Sequence, residues 1–115
     1  MSTLLNSLMT ELRRGTLTLA VLSRLQAPQY GYSLVQSLEN LGIPIEQSTL
    51  YPLLRRLEKQ ELVTSYWDTT ESRPRKYYVL SDYGKVIYVH LKEEWLSSSK
   101  LIYTLLEGNE EDETD

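Results

Sequence analysis

The chain has 115 residues, 41% of them hydrophobic and 24% charged, which suits one folded domain with at most an added oligomerisation element. It has no cysteine, so disulfides and thiolate chemistry are excluded, and its single histidine, His90, leaves few routes to a metal site or a His-based triad; no catalytic residue, metal or cofactor is expected. The net charge of −4 points away from polyanions, but six of the sixteen acidic residues fall between Glu107 and Asp115, leaving ten acidic against twelve basic elsewhere.

In chain order, Leu4, Leu5, Leu8, Met9 and Leu12 form one side of a short helix over residues 3–14, with Arg13-Arg14 in its last turn and Gly15 just beyond it. Thr16 to Gln26, apolar on most sides, reads as a separate buried helix stopped by Pro28. Gly31-Tyr32-Ser33 opens a third helix carrying Leu34, Val35, Leu38 and Leu41, and Gly42 is placed to end it in a left-handed conformation. A fourth helix starts near Glu46 or Gln47. Its Leu50, Leu53, Leu54 and Leu57 recur at helical spacing on one face, while Ser48, Tyr51, Pro52, Arg55 and Lys59 occupy the opposite face. Pro52 falls in its first or second turn, where a missing N–H is tolerated or causes a local kink. Arg55 and Lys59, four apart, repel each other unless an anion lies along them. Two helices joined by a tight turn, the second with this polar face, make a helix-turn-helix. An ordinary amphipathic helix with solvated cations is the other reading of the same residues.

Leu62 to Trp67 and Lys76 to Leu80 are β-type runs on either side of a polar turn, Asp68 to Pro74. The hairpin carries Arg73, Arg75 and Lys76, and its position after a helix-turn-helix is the order of a winged helix; solubilising charge on an exposed edge strand is the alternative. Trp67 is expected to pack the hairpin onto the core. Ser81-Asp82 can cap a last helix running to about Leu106 (residues 81–106). Tyr88, Leu91, Trp95, Ile102 and Leu106 line one side of it, beyond what a small core can cover, so a homodimer through the first and last helices is expected. The acidic segment 107–115 reads as disordered. No apolar run is long enough to cross a bilayer and no signal-peptide pattern precedes the first helix, so the expectation is a cytoplasmic protein with no membrane partner.

Three segments resemble the PadR family of bacterial transcriptional regulators in its short, single-domain branch: Tyr30-Gly31-Tyr32; Ser48-Thr49-Leu50-Tyr51-Pro52-Leu53-Leu54-Arg55-Arg56-Leu57-Glu58; and Pro74-Arg75-Lys76-Tyr77-Tyr78-Val79-Leu80-Ser81 followed by Gly84. The resemblance spans about residues 14–106. It implies a mainly α winged helix-turn-helix with a small β-hairpin, dimerising through its terminal helices (Leu4, Leu5, Leu8, Met9, Leu12, Leu91, Trp95, Ile102 and Leu106). It also implies DNA contacts from Ser48, Thr49 and Tyr51 and from the wing around Arg73, Arg75 and Lys76. Trp95 stands where some short members place an aromatic at the dimer centre, so a planar aromatic or drug-like effector could stack there, with Tyr88 and Leu91 beside it. Two features depart from the family pattern. Gln60-Glu61 lacks the usual glycine in the turn into the wing, and the wing tip from Asp68 to Ser72 has no glycine and two carboxylates.

The function read from these residues is a dimeric, DNA-binding transcriptional regulator on a pseudo-palindromic operator, a repressor relieved by a small molecule. Its DNA-binding set is Ser48, Thr49, Tyr51, Pro52, Arg55, Lys59, Arg73, Arg75 and Lys76. A winged-helix protein-interaction or dimerisation module that does not bind DNA is the alternative, favoured by the acidic tail and the net charge. No nucleophile–base pair, phosphate loop or metal cluster suggests an enzyme.

Overall fold

Helices α1 (Ser2–Ser23), α2 (Gly31–Asn40), α3 (Gln47–Lys59) and α4 (Asp82–Glu107) are interleaved with strands β1 (Gln29–Tyr30), β2 (Val63–Asp68) and β3 (Arg75–Leu80). This computed structural model describes residues 2–108, so the acidic stretch from residue 109 onward lies outside the described residues, while Glu107 is the last residue of α4. The strands form one antiparallel sheet in the order β1-β3-β2, with Val63 opposite Leu80 and Asp68 opposite Arg75. Fold class is therefore mainly helical with a small antiparallel sheet.

The end of α1, α2, α3 and the inner face of the sheet close around Val21, Leu22, Leu25, Leu34, Leu38, Leu50, Leu54, Leu57 and Val63, all essentially without solvent contact. Each such side chain contributes about 1.5–3 kcal/mol by leaving water, which makes the leucine stripe of α3 the largest single contribution to the core. Pro52 is the sixth residue of α3. It removes the amide that would bond the Ser48 carbonyl, and Ser48 is exposed, so water can take that carbonyl instead.

Helices α2 and α3 end in the same way. After α2, Gly42 takes φ +87°, the Ile43 amide donates to the Leu38 carbonyl at 2.8 Å and the Gly42 amide to the Glu39 carbonyl at 3.0 Å. After α3, Glu61 takes φ +64°, with Leu62 donating to Leu57 and Glu61 to Glu58, both at 3.0 Å. Both are Schellman endings. The glycine missing from Gln60-Glu61 has thus not altered the turn; a glutamate adopts the left-handed conformation and bears its strain. Gly31, the first residue of α2, is needed for another reason. A Cβ there would lie 2.7 Å from Cε1 of Tyr51, so α3 could not bring that phenol against α2.

Four features depart from expectation. Gly15 does not break the first helix: α1 continues from Ser2 through Arg13-Arg14-Gly15 to Ser23, so residues 3–14 are the first half of one helix and not a separate element. A glycine inside a helix costs about 1 kcal/mol relative to alanine, too little to interrupt a helix whose second half is anchored in the core by Leu17, Ala20, Val21 and Leu22. The same helix ends before Pro28, in a turn where Arg24 and Leu25 donate to Val21 and Leu22. Strand β1 was not anticipated; two residues are too short to show a period. Trp67 is 62% exposed and does not pack the hairpin onto the core.

Helix α4 starts on a well-made cap, with Ser81 Oγ accepting from the Gly84 amide at 2.9 Å and donating to the Glu61 carbonyl at 2.7 Å. It then leaves the core. Its 26 residues span about 39 Å, and the molecule measures 67 × 36 × 24 Å with a radius of gyration of 17.6 Å, against about 13 Å for a compact chain of this length.

Replacing Glu61 by glycine relieves the left-handed strain and is expected to raise unfolding free energy by about 1 kcal/mol in urea titrations. Gly31→Ala is expected to lower it by about 1–3 kcal/mol by forcing the Tyr51 ring away, and an unchanged midpoint would show that the ring has room to move.

Candidate nucleic-acid interface

On α3, the buried leucines face the core and the opposite side stays open: Ser48, Thr49, Pro52, Arg55, Arg56 and Lys59 are all exposed. Tyr51 differs from expectation. It is half-buried, packs against the core, and its phenol rests on Gly31, so much of the ring holds α2 and α3 together and only its edge reaches the outer face. Glu58, on the flank of α3 nearest the sheet, accepts a hydrogen bond from the Ser65 hydroxyl and ties the helix to the wing. Thr49 lies on the other flank, where it borders a cleft shared with Arg13, Leu17 and Ile43.

Strand alternation separates the wing cations. Tyr78 and Leu80 point into the core, so Lys76 shares their face, while Arg75 shares the outer face with Tyr77. Across that outer face runs a row of three tyrosines, Tyr30, Tyr77 and Tyr66, one from each strand. Tyr30 meets Tyr77 edge-on at 5.6 Å between centroids, and Tyr66 stacks on Tyr77 at 5.7 Å. The Arg75 guanidinium sits 4.5 Å above the Tyr30 ring and the Lys76 ammonium 5.6 Å from the Tyr78 ring. Both cations are therefore held by aromatic faces, while Arg73 stands exposed at the tip.

At that tip, Asp68 Oδ1 accepts from the Thr70 amide at 3.0 Å and the Thr70 hydroxyl at 2.7 Å. These two hydrogen bonds, with a smaller effect from the Arg75 charge, hold the Asp68 carboxyl below its ordinary value. One of the two tip carboxylates is thereby engaged by the turn that a glycine would otherwise make. Burial, reinforced by Glu58 and Tyr51 and opposed by Arg55, pushes the Tyr78 phenol above its ordinary value. Lys76 thus stands on the Tyr78 ring, while Arg55 is exposed on the outer face of α3. Between α2, α3 and the wing lies an open groove of about 570 Å³ bordered by Tyr32, Tyr51, Trp67, Arg73, Arg75 and Lys76.

The residues expected at a dimer contact are separate from this surface. Leu4, Leu5, Leu8 and Leu12 on α1 and Leu91, Trp95, Ile102 and Leu106 on α4 are all exposed, with Met9 half-buried. Tyr88 is half-buried and packs partly against the core of its own domain. Among the described residues no cluster of His, Asp or Glu could hold a metal, and no helix is long and apolar enough to cross a membrane. Sequence reasoning missed the tyrosine row and the exposure of Trp67. The signal for the row was present in the alternation of Tyr66 with Tyr77, but its third member belongs to the two-residue strand.

The model of the transcriptional regulator PadR-like family matches residues 18–90. Among solved structures, a PadR family transcriptional regulator from Eggerthella lenta is 48% identical, with 92% of this chain and 95% of that chain covered and a TM-score of 0.83. A PadR-like transcriptional regulator from Bacillus cereus is 27% identical, with 84% and 97% covered and a TM-score of 0.76. An uncharacterised protein of Lysinibacillus sphaericus is 33% identical over 90 residues, 75% of this chain and 83% of its own. The family's members are transcriptional regulators and not enzymes, and with its helix-turn-helix, its wing and this match over most of its length, the chain belongs to the PadR-like family of transcriptional regulators.

Proposed function

We propose that the protein is a homodimeric repressor that binds a pseudo-palindromic operator through α3 and the wing and is released by a small aromatic effector. The observation that carries the DNA-binding part is the groove between α3 and the hairpin, bordered by Tyr51 from α3 and by Arg73, Arg75 and Lys76, next to the exposed Arg55 and Lys59 of α3. Cations on the wing and on the outer face of α3 suit the phosphates bordering a major groove occupied by α3. Ser48, Thr49 and Pro52, exposed near the start of α3, are then the groups nearest base edges and thymine methyls, with Tyr51 mainly positioning them. Arg55, Lys59, Arg73, Arg75 and Lys76 supply phosphate contacts, each releasing counterions and steepening the salt dependence.

Support for the dimer comes from the length of α4 that projects beyond the core and from its apolar residues. Leu101, Ile102, Leu105 and Leu106 are each more than half exposed, as are Leu4, Leu5, Leu8 and Leu12 on α1. A second copy related by a two-fold axis would cover this stripe and present two α3 helices to successive turns of the duplex, about 34 Å apart. On that axis Trp95 and Leu91 would be the wall against which a planar effector stacks.

In fluorescence anisotropy, Arg75→Ala is expected to weaken binding to operator and random duplexes alike and to reduce the slope of log K against log salt by about 1. An unchanged slope would remove the wing from the interface. The double change Ile102→Glu with Leu106→Glu is expected to convert the dimer to a folded monomer in sedimentation velocity and to lower operator affinity by at least about tenfold, since each half-site must then be held alone.

A further inference from the structure

We propose that Trp67 is a DNA-contacting residue, its indole packing against the sugar–phosphate backbone of one duplex strand seated in the groove between α2, α3 and the wing. The inference rests on the DNA-binding reading above and adds to it a residue and a mode of contact.

The inner face of the hairpin has three cross-strand rows: Val63 with Leu80, Ser65 with Tyr78, and Trp67 with Lys76. The first row is buried in the core, and the second is fastened to α3 through Ser65 and Glu58. The third row runs past the edge of the core. The alternation that buries Val63 therefore carries Trp67 into solvent at 62% exposure, on the side of the sheet that faces α3. Among the described residues most of this ring is left open, and no residue bordering its groove comes from α1 or α4. A dimer joined through those two helices leaves it open.

The groove repeats, in its walls, the chemistry of a nucleic-acid strand. Trp67, Tyr32 and the edge of Tyr51 supply flat apolar surfaces, and Arg73, Arg75 and Lys76 supply positive charge among them. A DNA strand alternates the C–H faces of deoxyribose with phosphates at the same scale, so sugars fit the rings while phosphates meet the cations. Bases in a duplex are paired and stacked, which leaves the sugar as the apolar partner an indole can reach without unpairing the helix. Tyr32 is 52% exposed at the start of α2 and stands as the other wall.

The chain has two tryptophans, so protein grown with 5-fluorotryptophan gives two ¹⁹F resonances, of which the one missing in Trp67→Phe belongs to Trp67. Titrating the full-length protein with operator duplex is expected to shift or broaden that resonance with the midpoint seen by anisotropy. Trp67→Leu is expected to weaken duplex binding about fivefold with an unchanged salt slope, because the contact is apolar and displaces no counterion. Trp67→Phe is expected to recover part of the loss. If anisotropy reports binding while the Trp67 resonance stays still and Trp67→Leu binds like the parent, the inference is overturned and the DNA-binding reading survives. Failure of the parent protein to bind any duplex would overturn both. A larger response to a single strand of equal length would replace the sugar face with unpaired bases and overturn the duplex contact.

Discussion

One short stretch of backbone holds the arrangement together: the junction where α3 ends, β2 begins, β3 ends and α4 begins. The Leu62 carbonyl accepts from the Ser81 amide at 3.0 Å, while the Ser81 hydroxyl bonds both the Glu61 carbonyl and the Gly84 amide. Gly84 is buried so tightly that a Cβ would collide with the Leu62 carbonyl, so the first turn of α4 lies directly on the backbone leading into the wing. The end of α3, both strands of the wing and the root of the long helix are therefore fastened at one point. Neither the face of α3 nor the direction in which α4 leaves the core can be chosen independently of the other.

Much of this was legible in the residues. The leucine spacing of α3, the Gly42 ending of α2, the β-character of the hairpin and the Ser81 cap are local signals that the tertiary structure leaves intact. What could not be read depends on how far packing extends. Arg13-Arg14-Gly15 carries a helix-ending signal, yet α1 touches α4 and the core, and a preference of about 1 kcal/mol is too small to break it. The alternation through Val63, Ser65 and Trp67 gave the correct face for the indole, but the core ends one row earlier, and where a core ends is not a property of any one strand. Tyr51 falls on the polar side of the helical wheel, and only the absent side chain at Gly31, twenty residues earlier, lets its ring fold inward.

The overall acidity of the chain gives little guidance to its surface. The ten acidic residues outside the tail include Glu58 and Asp68, which are turned to internal duties as acceptors for Ser65 and Thr70. The cations of α3 and the wing have no such internal use. Those on the helix point to solvent, and two of those on the hairpin lie on aromatic rings, Arg75 also opposite Asp68 in the strand pairing. Charge location, set by which side chains the turns and ties consume, decides the character of the face.

The ring beneath Arg75 has an effect on the energetics of docking. A free arginine side chain carries about 2 kcal/mol of rotamer entropy, and ordering it against a phosphate ordinarily subtracts from affinity. Parked over Tyr30, which is itself braced edge-on by Tyr77, the guanidinium has surrendered much of that freedom when the sheet forms. A partner arriving at the wing meets a donor that is already still.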